Sequence, residues 1–389
     1  MFVSRSKNLT ITRQCLPGLG GVVAVVFLSS SSLAQDIDDQ VARMMSEGWR
    51  AQTTNVSVRA PSRGIRPLAL PDQSVGALDA KRASTQSFVD LRFQQPGTRA
   101  VLVAQSGVLL AERYLPGAVT VSSTPIGNSM SKSLVALAVG KALCQGKIDS
   151  LDSKAERFVP ALAGTSWGQS SVKDLLRMTS GAFFTDYVRP TGWKDQQDIL
   201  DNRAIYSGAM TRSFIELMKA RDDKKFTPGS TFNYNNYDTV VLNLVVEKAV
   251  GQSFATFFAD HIWSEVGAEK DGAWVTNRAG EVAGYFGFSA APRDWIRLGE
   301  YVLERLGQDD CFGNFLKDAT SEQVKANWPF NKSYGYQVWT NCTRKPGSFC
   351  FVGNHGQQLI IHPASRLVLY VHGVRTAITG TWRDVFDAI

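Results

Sequence analysis

The chain has 389 residues, 44% of them hydrophobic and 20% charged, the proportions of a folded domain with a substantial core rather than of a disordered chain. Its formal charge of +7 comes from scattered lysines and arginines with no long basic run, which excludes a nucleic-acid-binding tract.

In chain order, residues 1–34 have the layout of an export signal. Arg5, Lys7 and Arg13 precede the apolar stretch "GVVAVVFL", and Ser32-Leu33-Ala34 offers small residues for cleavage after Ala34. The apolar run is far shorter than the roughly 20 residues that span a bilayer, and no second long one follows, so stable membrane insertion is not expected. The expected location is periplasmic or secreted. There the four cysteines beyond the leader, Cys144, Cys311, Cys342 and Cys350, meet an oxidising environment. Cys342 and Cys350 bracket a Pro-Gly turn and are placed for a local bridge, which leaves Cys144 with Cys311 by elimination. No CxxC or paired histidine accompanies them, so no metal is expected.

Residues 35–97 read as a polar, irregular extension packing on the main domain, with Pro61, Pro67 and Pro71 interrupting any long element. The main domain is expected over 98–389. It opens with a hairpin over 99–115, turning at Gln105-Ser106-Gly107, followed by an apolar helix from "GNSMSKSLVALAVGKAL" (127–143). Helical spacing dominates 170–310, most clearly in "YDTVVLNLVVEKAV" and "APRDWIRLGEYVLERLG". Beyond 330 the pattern returns to strands, in "YGYQVWTNC", "SFCFVG", "QQLIIHP" and "RLVLYVHGV", and ends in a short helix, "WRDVFDAI". Strands at both ends with helices between predict an α+β fold: one antiparallel sheet built from both ends of the chain, with a largely helical inserted subdomain.

The chemistry concentrates at the start of the apolar helix. Residues three apart share a helix face, so Ser129 and Lys132 project side by side. A serine hydroxyl attacks only when a base takes its proton, and a desolvated lysine can be that base. The helix N-terminus adds free N–H groups that favour a developing negative charge. The spacing recurs at Ser4–Lys7, in the leader, and at Ser170–Lys173, where Ser170 or Ser171 reads as an ordinary helix cap with Lys173 in solvent. On spacing alone Ser129 is open to the same reading.

The wider text resembles the serine hydrolases of the class C β-lactamase, D-Ala-D-Ala peptidase and esterase superfamily, over about residues 98–389. "NSMSKSLVALAVGKALCQGKIDSLD" with "SVKDLLRMTSG" carries the S-x-x-K motif, and "PGSTFNYNNYDTVVLNLVVEKAVGQSF" carries Tyr234-Asn235-Asn236, the family's Y-x-N. "GFSAAPRDWIRLG" and "YGYQVW" follow in the order these enzymes use. The resemblance implies Ser129 as nucleophile, Lys132 and Tyr234 as its proton-shuttling partners, and Asn236 bonded to Lys132 or to the substrate amide.

The third motif departs from that pattern. Where β-lactamases carry K-T-G on an edge strand, this chain has "FVGNHGQQLIIHP", without a lysine to hold a substrate carboxylate. Gly353, His355 and Gly356 resemble instead the G-x-H-G-Q stretch of 6-aminohexanoate-dimer hydrolases and related carboxylesterases, and "FFTDYVRP" adds Asp186 and Tyr187, an aromatic that closes over the scissile amide in that group. The expectation is a serine hydrolase of a small linear amide or ester, acting through an acyl-enzyme. One donor of its oxyanion hole would be the Ser129 N–H and the other would lie near His355-Gly356. The alternatives are a D-Ala-D-Ala peptidase, a class C-like β-lactamase, or a non-hydrolytic penicillin-recognising protein. His261, His362 and His372 sit in apolar contexts and read as structural. The nucleophile-elbow, zinc-protease, phosphate-loop and dinucleotide motifs are missing from the sequence, and no cofactor is implied.

Overall fold

A computed structural model describes residues 55–61, 64–69, 76–182, 212–220, 222, 224–326 and 331–374. The leader, Asp186, Tyr187 and the terminal "WRDVFDAI" lie outside the described residues.

The centre is an antiparallel sheet that joins the two ends of the domain. β2 (Thr98–Gln105) and β3 (Val108–Tyr114) form the N-terminal hairpin. Ser106 (φ 51°) and Gly107 (φ 80°) make its turn, the pair of left-handed residues that a two-residue hairpin requires. From the other end come β6 (Val324–Lys325), β7 (Ser333–Tyr334), β8 (Trp339–Thr340), β9 (Phe349–Gly353), β10 (Gln357–His362) and β11 (Leu367–Gly373). The order across the sheet is β3-β2-β11-β10-β9-β8-β7-β6, so β2 and β11 close the join, Leu102 opposite Tyr370. A smaller sheet pairs β1 (Asn55–Val58) with β4 (Gly272–Val275), and β4 with β5 (Phe288–Ser289).

Strand side chains alternate between two cores, as the two-residue period demands. Ala100, Leu102, Ala104, Leu359, Ile361, Val368 and Tyr370 enter the large helical core. Val101, Val103, Ile360, Leu369 and Val371 enter a second cluster with Phe88 and Val89. Those two belong to α1 (Gly76–Phe93), an 18-residue helix in the stretch that reads from sequence as irregular. All three prolines precede Gly76, and the buried positions 85, 88, 89 and 92 do follow a helical stripe. Two of the four, Thr85 and Arg92, are polar, which hides the stripe from an apolar pattern.

The helical layer holds α2 (Met130–Cys144), α3 (Val172–Leu176), α4 (Asn236–Val250), α5 (Pro292–Leu306) and α6 (Cys311–Ala319). α2 is buried on every side, from Met130 through Gly140. Its apolar residues Leu134, Val135, Leu137 and Val139 each contribute about 1.5–3 kcal/mol on burial, which fixes the helix as an axis of the domain. Disulfides join Cys144 at its end to Cys311 of α6, the pair left by elimination, and Cys342 to Cys350 across the β8–β9 connection, the bridge expected from the Pro-Gly turn. Among the described residues no helix is long and apolar enough to cross a membrane.

Candidate active site

The first turn of α2 places Ser131, Lys132 and Ser133 in the core, where an unbonded polar group costs free energy. Each has a partner. The Phe288 N–H donates to Ser131 Oγ (2.9 Å), and Ser133 Oγ donates to the Gln337 carbonyl (2.6 Å). Lys132 Nζ donates to Ser129 Oγ (2.9 Å) and to the Tyr285 carbonyl (2.7 Å). Ser129 stands at the N-cap position but its side chain caps nothing. The second S-x-x-K behaves in the opposite way. Ser171 closes a capping box with Asp174 at the start of α3, and Lys173 pairs with Asp152 at 2.9 Å near the surface. Ser170 is buried and donates to the Ser166 and Ser180 carbonyls. The same spacing thus yields two unconnected side chains in one place and a serine–lysine pair in the other.

The loop before Ser129 is held by close backbone contact. Gly127 donates its N–H to the Phe288 carbonyl (2.7 Å) and lies so near Trp295 that a Cβ would sit 2.7 Å from the indole. Gly353, at the end of β9, packs against the same loop: a Cβ there would come within 2.3 Å of the Gly127 oxygen. Asn128, in a left-handed conformation (φ 49°) that asparagine tolerates, donates from Nδ2 to the Asn354 carbonyl (3.0 Å). These contacts set the turn Asn354–Gly356 beside the loop that precedes Ser129. The Ser129 N–H has no acceptor among the described residues.

Within that turn His355 is left-handed (φ 63°) and half-buried, and desolvation holds its imidazole below the ordinary value of 6.5. The buried Gly356 follows at φ 90°. Gln357 anchors the far side: its Nε2 donates to the Gly373 carbonyl, and its Oε1 accepts from His372 Nδ1. The Gln357 oxygen can only accept, so His372 carries its proton on Nδ1. His362 bonds Ser365 Oγ (2.7 Å), and His261 meets Gln145 (3.2 Å) and the Phe257 ring. The expectation of an edge strand at this place needs correction. β9 is internal to the sheet, paired with β10 and β8. Because β8 pairs only with Phe349 and Cys350, Phe351–Gly353 run on past its end, and one side of an interior strand is left open there.

Tyr234 sits just before α4, partly exposed and stacked on Trp339 (centroids 5.7 Å, 20° between planes), with Lys132 Nζ 5.0 Å from its ring centre. Tyr237 is the buried core aromatic, against Trp167 and Phe214. Asn235 caps α4, accepting the Tyr237 N–H at 2.9 Å. Asn236 does not bond Lys132. Its side chain makes no hydrogen bond among the described residues, while Lys132 donates to Ser129 and to the Tyr285 carbonyl. Asp238, in the first turn of α4, is fully buried. It accepts from Ser180 Oγ (2.7 Å) and Trp167 Nε1 (3.2 Å), and burial pushes its carboxyl up to about 8.

A family model described as "Beta-lactamase" matches residues 92–374, most of the chain. The chain belongs to the beta-lactamase family. It is accordingly a serine hydrolase acting on amides or esters. A 6-aminohexanoate-dimer hydrolase of Paenarthrobacter ureafaciens is 27% identical over 330 residues, covering 78% of this chain and 79% of that one. A 6-aminohexanoate-dimer hydrolase homologue from Bacillus anthracis superposes with a TM-score of 0.72 at 23% identity, over 90% of this chain and 93% of that one. EstCE1, a hydrolase with promiscuous acyltransferase activity, follows at a TM-score of 0.61 and 15% identity, over 80% of this chain and 99% of the other.

In this member of the beta-lactamase family the fold brings Ser129, Lys132 and Tyr234 together, and sets His355 and Gly356 on the loop bonded to Asn128. Sequence reasoning missed Tyr285, whose role lies in a backbone carbonyl that leaves no trace in residue type. It also passed over Trp339 and Gln337 within "YGYQVW", a stretch noted as recurrent but assigned no task. A single glutamine within an otherwise apolar and aromatic run was the available signal there.

Proposed function

We propose that this protein is an exported hydrolase that cleaves a small linear amide or ester through an acyl-enzyme on Ser129. The observation that carries the reading is the Lys132 Nζ–Ser129 Oγ hydrogen bond, made by a lysine 1% exposed to a serine that caps no helix N–H. In the proposed cycle the Ser129 proton passes to the Lys132–Tyr234 pair as Oγ attacks the substrate carbonyl. The oxyanion is held by the Ser129 N–H and a donor of the turn at His355-Gly356; one such donor is commonly worth about 10²- to 10³-fold in rate. Collapse of the tetrahedral adduct expels the amine or alcohol, which takes the proton from the same pair. Water repeats the steps to release the acid. Asn236 is assigned to the substrate amide.

His355 does not take over the charge of the K-T-G lysine at neutral pH, since desolvation keeps it uncharged. That favours a substrate without a carboxylate next to the scissile bond, such as penicillins present, and by likeness to the Paenarthrobacter relative a short linear oligoamide or a simple ester. Two disulfides suit an oxidising compartment, in keeping with cleavage after Ala34 and a periplasmic or secreted enzyme comprising an extension over 35–97 and the hydrolase domain over 98–389. The test is a fluorophosphonate probe followed by peptide mapping. Labelling should fall on Ser129, vanish in Ser129→Ala and persist in Ser170→Ala; labelling that survives Ser129→Ala refutes the nucleophile.

A further inference from the structure

Tyr234 lies in an irregular segment, yet the backbone on both sides of it is tied to one residue. The Asn233 N–H donates to the Met178 carbonyl (2.8 Å), and the Asn235 N–H donates to the Met178 sulfur (3.4 Å). A second pair of bonds runs parallel: Asn233 Nδ2 and Asn235 Nδ2 both reach the Ala182 carbonyl, at 3.3 and 3.2 Å. Met178 follows α3 in a left-handed conformation (φ 57°) with no exposed surface. That conformation is costly for any residue with a side chain, and a methionine held in it marks a place that the surrounding structure over-determines. A thioether is a weak acceptor, and buried N–H groups seldom settle for one when water or a carbonyl is at hand. Here it is the partner that Asn235 has.

We propose that Met178 is the positioning residue of Tyr234, its carbonyl and sulfur fixing the backbone on either side so that the phenol stays over Lys132. The proposal rests on the proton-shuttling role given to Tyr234 above. Met178 touches neither Ser129 nor substrate; it acts through the tyrosine. Leucine at 178 keeps the volume and bears the same left-handed backbone cost, so Met178→Leu removes little besides the acceptor.

The measurement is the rate constant for fluorophosphonate labelling of Ser129 in Met178→Leu, Tyr234→Phe and the double variant, with melting temperatures alongside. Met178→Leu should label about tenfold more slowly, a part of the roughly 10²- to 10⁴-fold that a well-placed base supplies. In the Tyr234→Phe background the same change should have no further effect, because the group it positions is gone. A merely structural role would give the same loss in both backgrounds and overturn the proposal, as would an unchanged rate in the single variant. If Met178→Leu does not fold, Met178→Gln, which offers an amide oxygen at similar reach, takes its place. A rate within about threefold of the unmodified protein supports the clamp, and a tenfold loss refutes it. Absence of any Ser129 labelling in the unmodified protein would instead remove the reading of the site itself.

Discussion

Replacing Asp238 by asparagine should raise the stability of the folded protein at neutral pH and flatten its dependence on pH. The carboxyl is fully buried and raised to about 8 by desolvation, although it lies in the first turn of α4, where the helix dipole favours a negative charge. The dipole contributes at most about 2 kcal/mol, and loss of hydration outweighs it here. In the unfolded chain the same group ionises near 4. Between those values the folded state holds a proton that the unfolded state has released, so the contribution of Asp238 to stability is greatest below about pH 4 and is lost as pH rises towards 8. The slope is about 1.4 kcal/mol per pH unit for one proton, or about 3 kcal/mol between pH 5 and 7. For a chain of this size that is a fall of about 3–5 °C in melting temperature. Asparagine keeps an oxygen for Ser180 and Trp167, and its amide replaces Oδ2, which has no hydrogen-bond partner. Thermal melts of both proteins at pH 5, 6, 7 and 8 isolate this group, because every other titration is common to the pair. The difference between them should widen with pH and level off above 8. Parallel curves would show that Asp238 does not hold its proton in the folded protein, and the reasoning would fail.

Three further outcomes follow from the site. Gly353→Ala drives a Cβ to 2.3 Å from the Gly127 oxygen, which cannot yield as a side chain would; it should cost about 1–3 kcal/mol and slow Ser129 labelling more than its effect on melting explains. Reduction of Cys342–Cys350, or Cys342→Ser with Cys350→Ser, removes a closure worth only about 2–3 kcal/mol but frees the pairing of Trp339 with Cys350. Turnover should therefore fall further than stability, and mass spectrometry showing free thiols at both positions in exported protein would end the idea. Short-chain p-nitrophenyl esters should be hydrolysed far faster than nitrocefin, and efficient nitrocefin turnover at nanomolar enzyme would return the assignment to a β-lactamase.

The sheet built from both ends of the domain, the hairpin at Gln105-Ser106-Gly107 and the long helices were legible in the sequence, α5 from its helical period and α2 and the strands from apolar runs bounded by turn residues. α1 was not, since its buried stripe includes a threonine and an arginine. The pairing of Ser129 with Lys132 was readable as a spacing, but not its distinction from Ser170–Lys173. That difference depends on what surrounds each turn: Ser170 donates its hydroxyl to the Ser166 and Ser180 carbonyls and Lys173 pairs with Asp152, whereas Ser129 Oγ accepts from a buried lysine and the loop before it packs Gly127 against Gly353. That β9 lies inside the sheet yet is open on one side at Phe351–Gly353 was likewise invisible, because it depends on β8 pairing there and on how short β8 is.

A site drawn from three distant stretches needs something to keep their spacing, and Gln337 supplies much of it. From a left-handed turn (φ 56°) its backbone N–H donates to the Leu176 carbonyl (2.8 Å), and its Nε2 donates to that of Leu175 (2.8 Å), both in α3. Its Oε1 accepts from Thr239 of α4 (2.8 Å), and its carbonyl accepts from Ser133 of α2. One buried residue therefore bonds the helix that carries Lys132, the helix that follows Tyr234 and the helix whose end carries Met178. Apolar packing alone tolerates small slides of one helix past another, whereas a set of directed bonds from one amide does not. The hydrophobic core brings these helices together, and the buried polar groups set the register in which Ser129, Lys132 and Tyr234 meet.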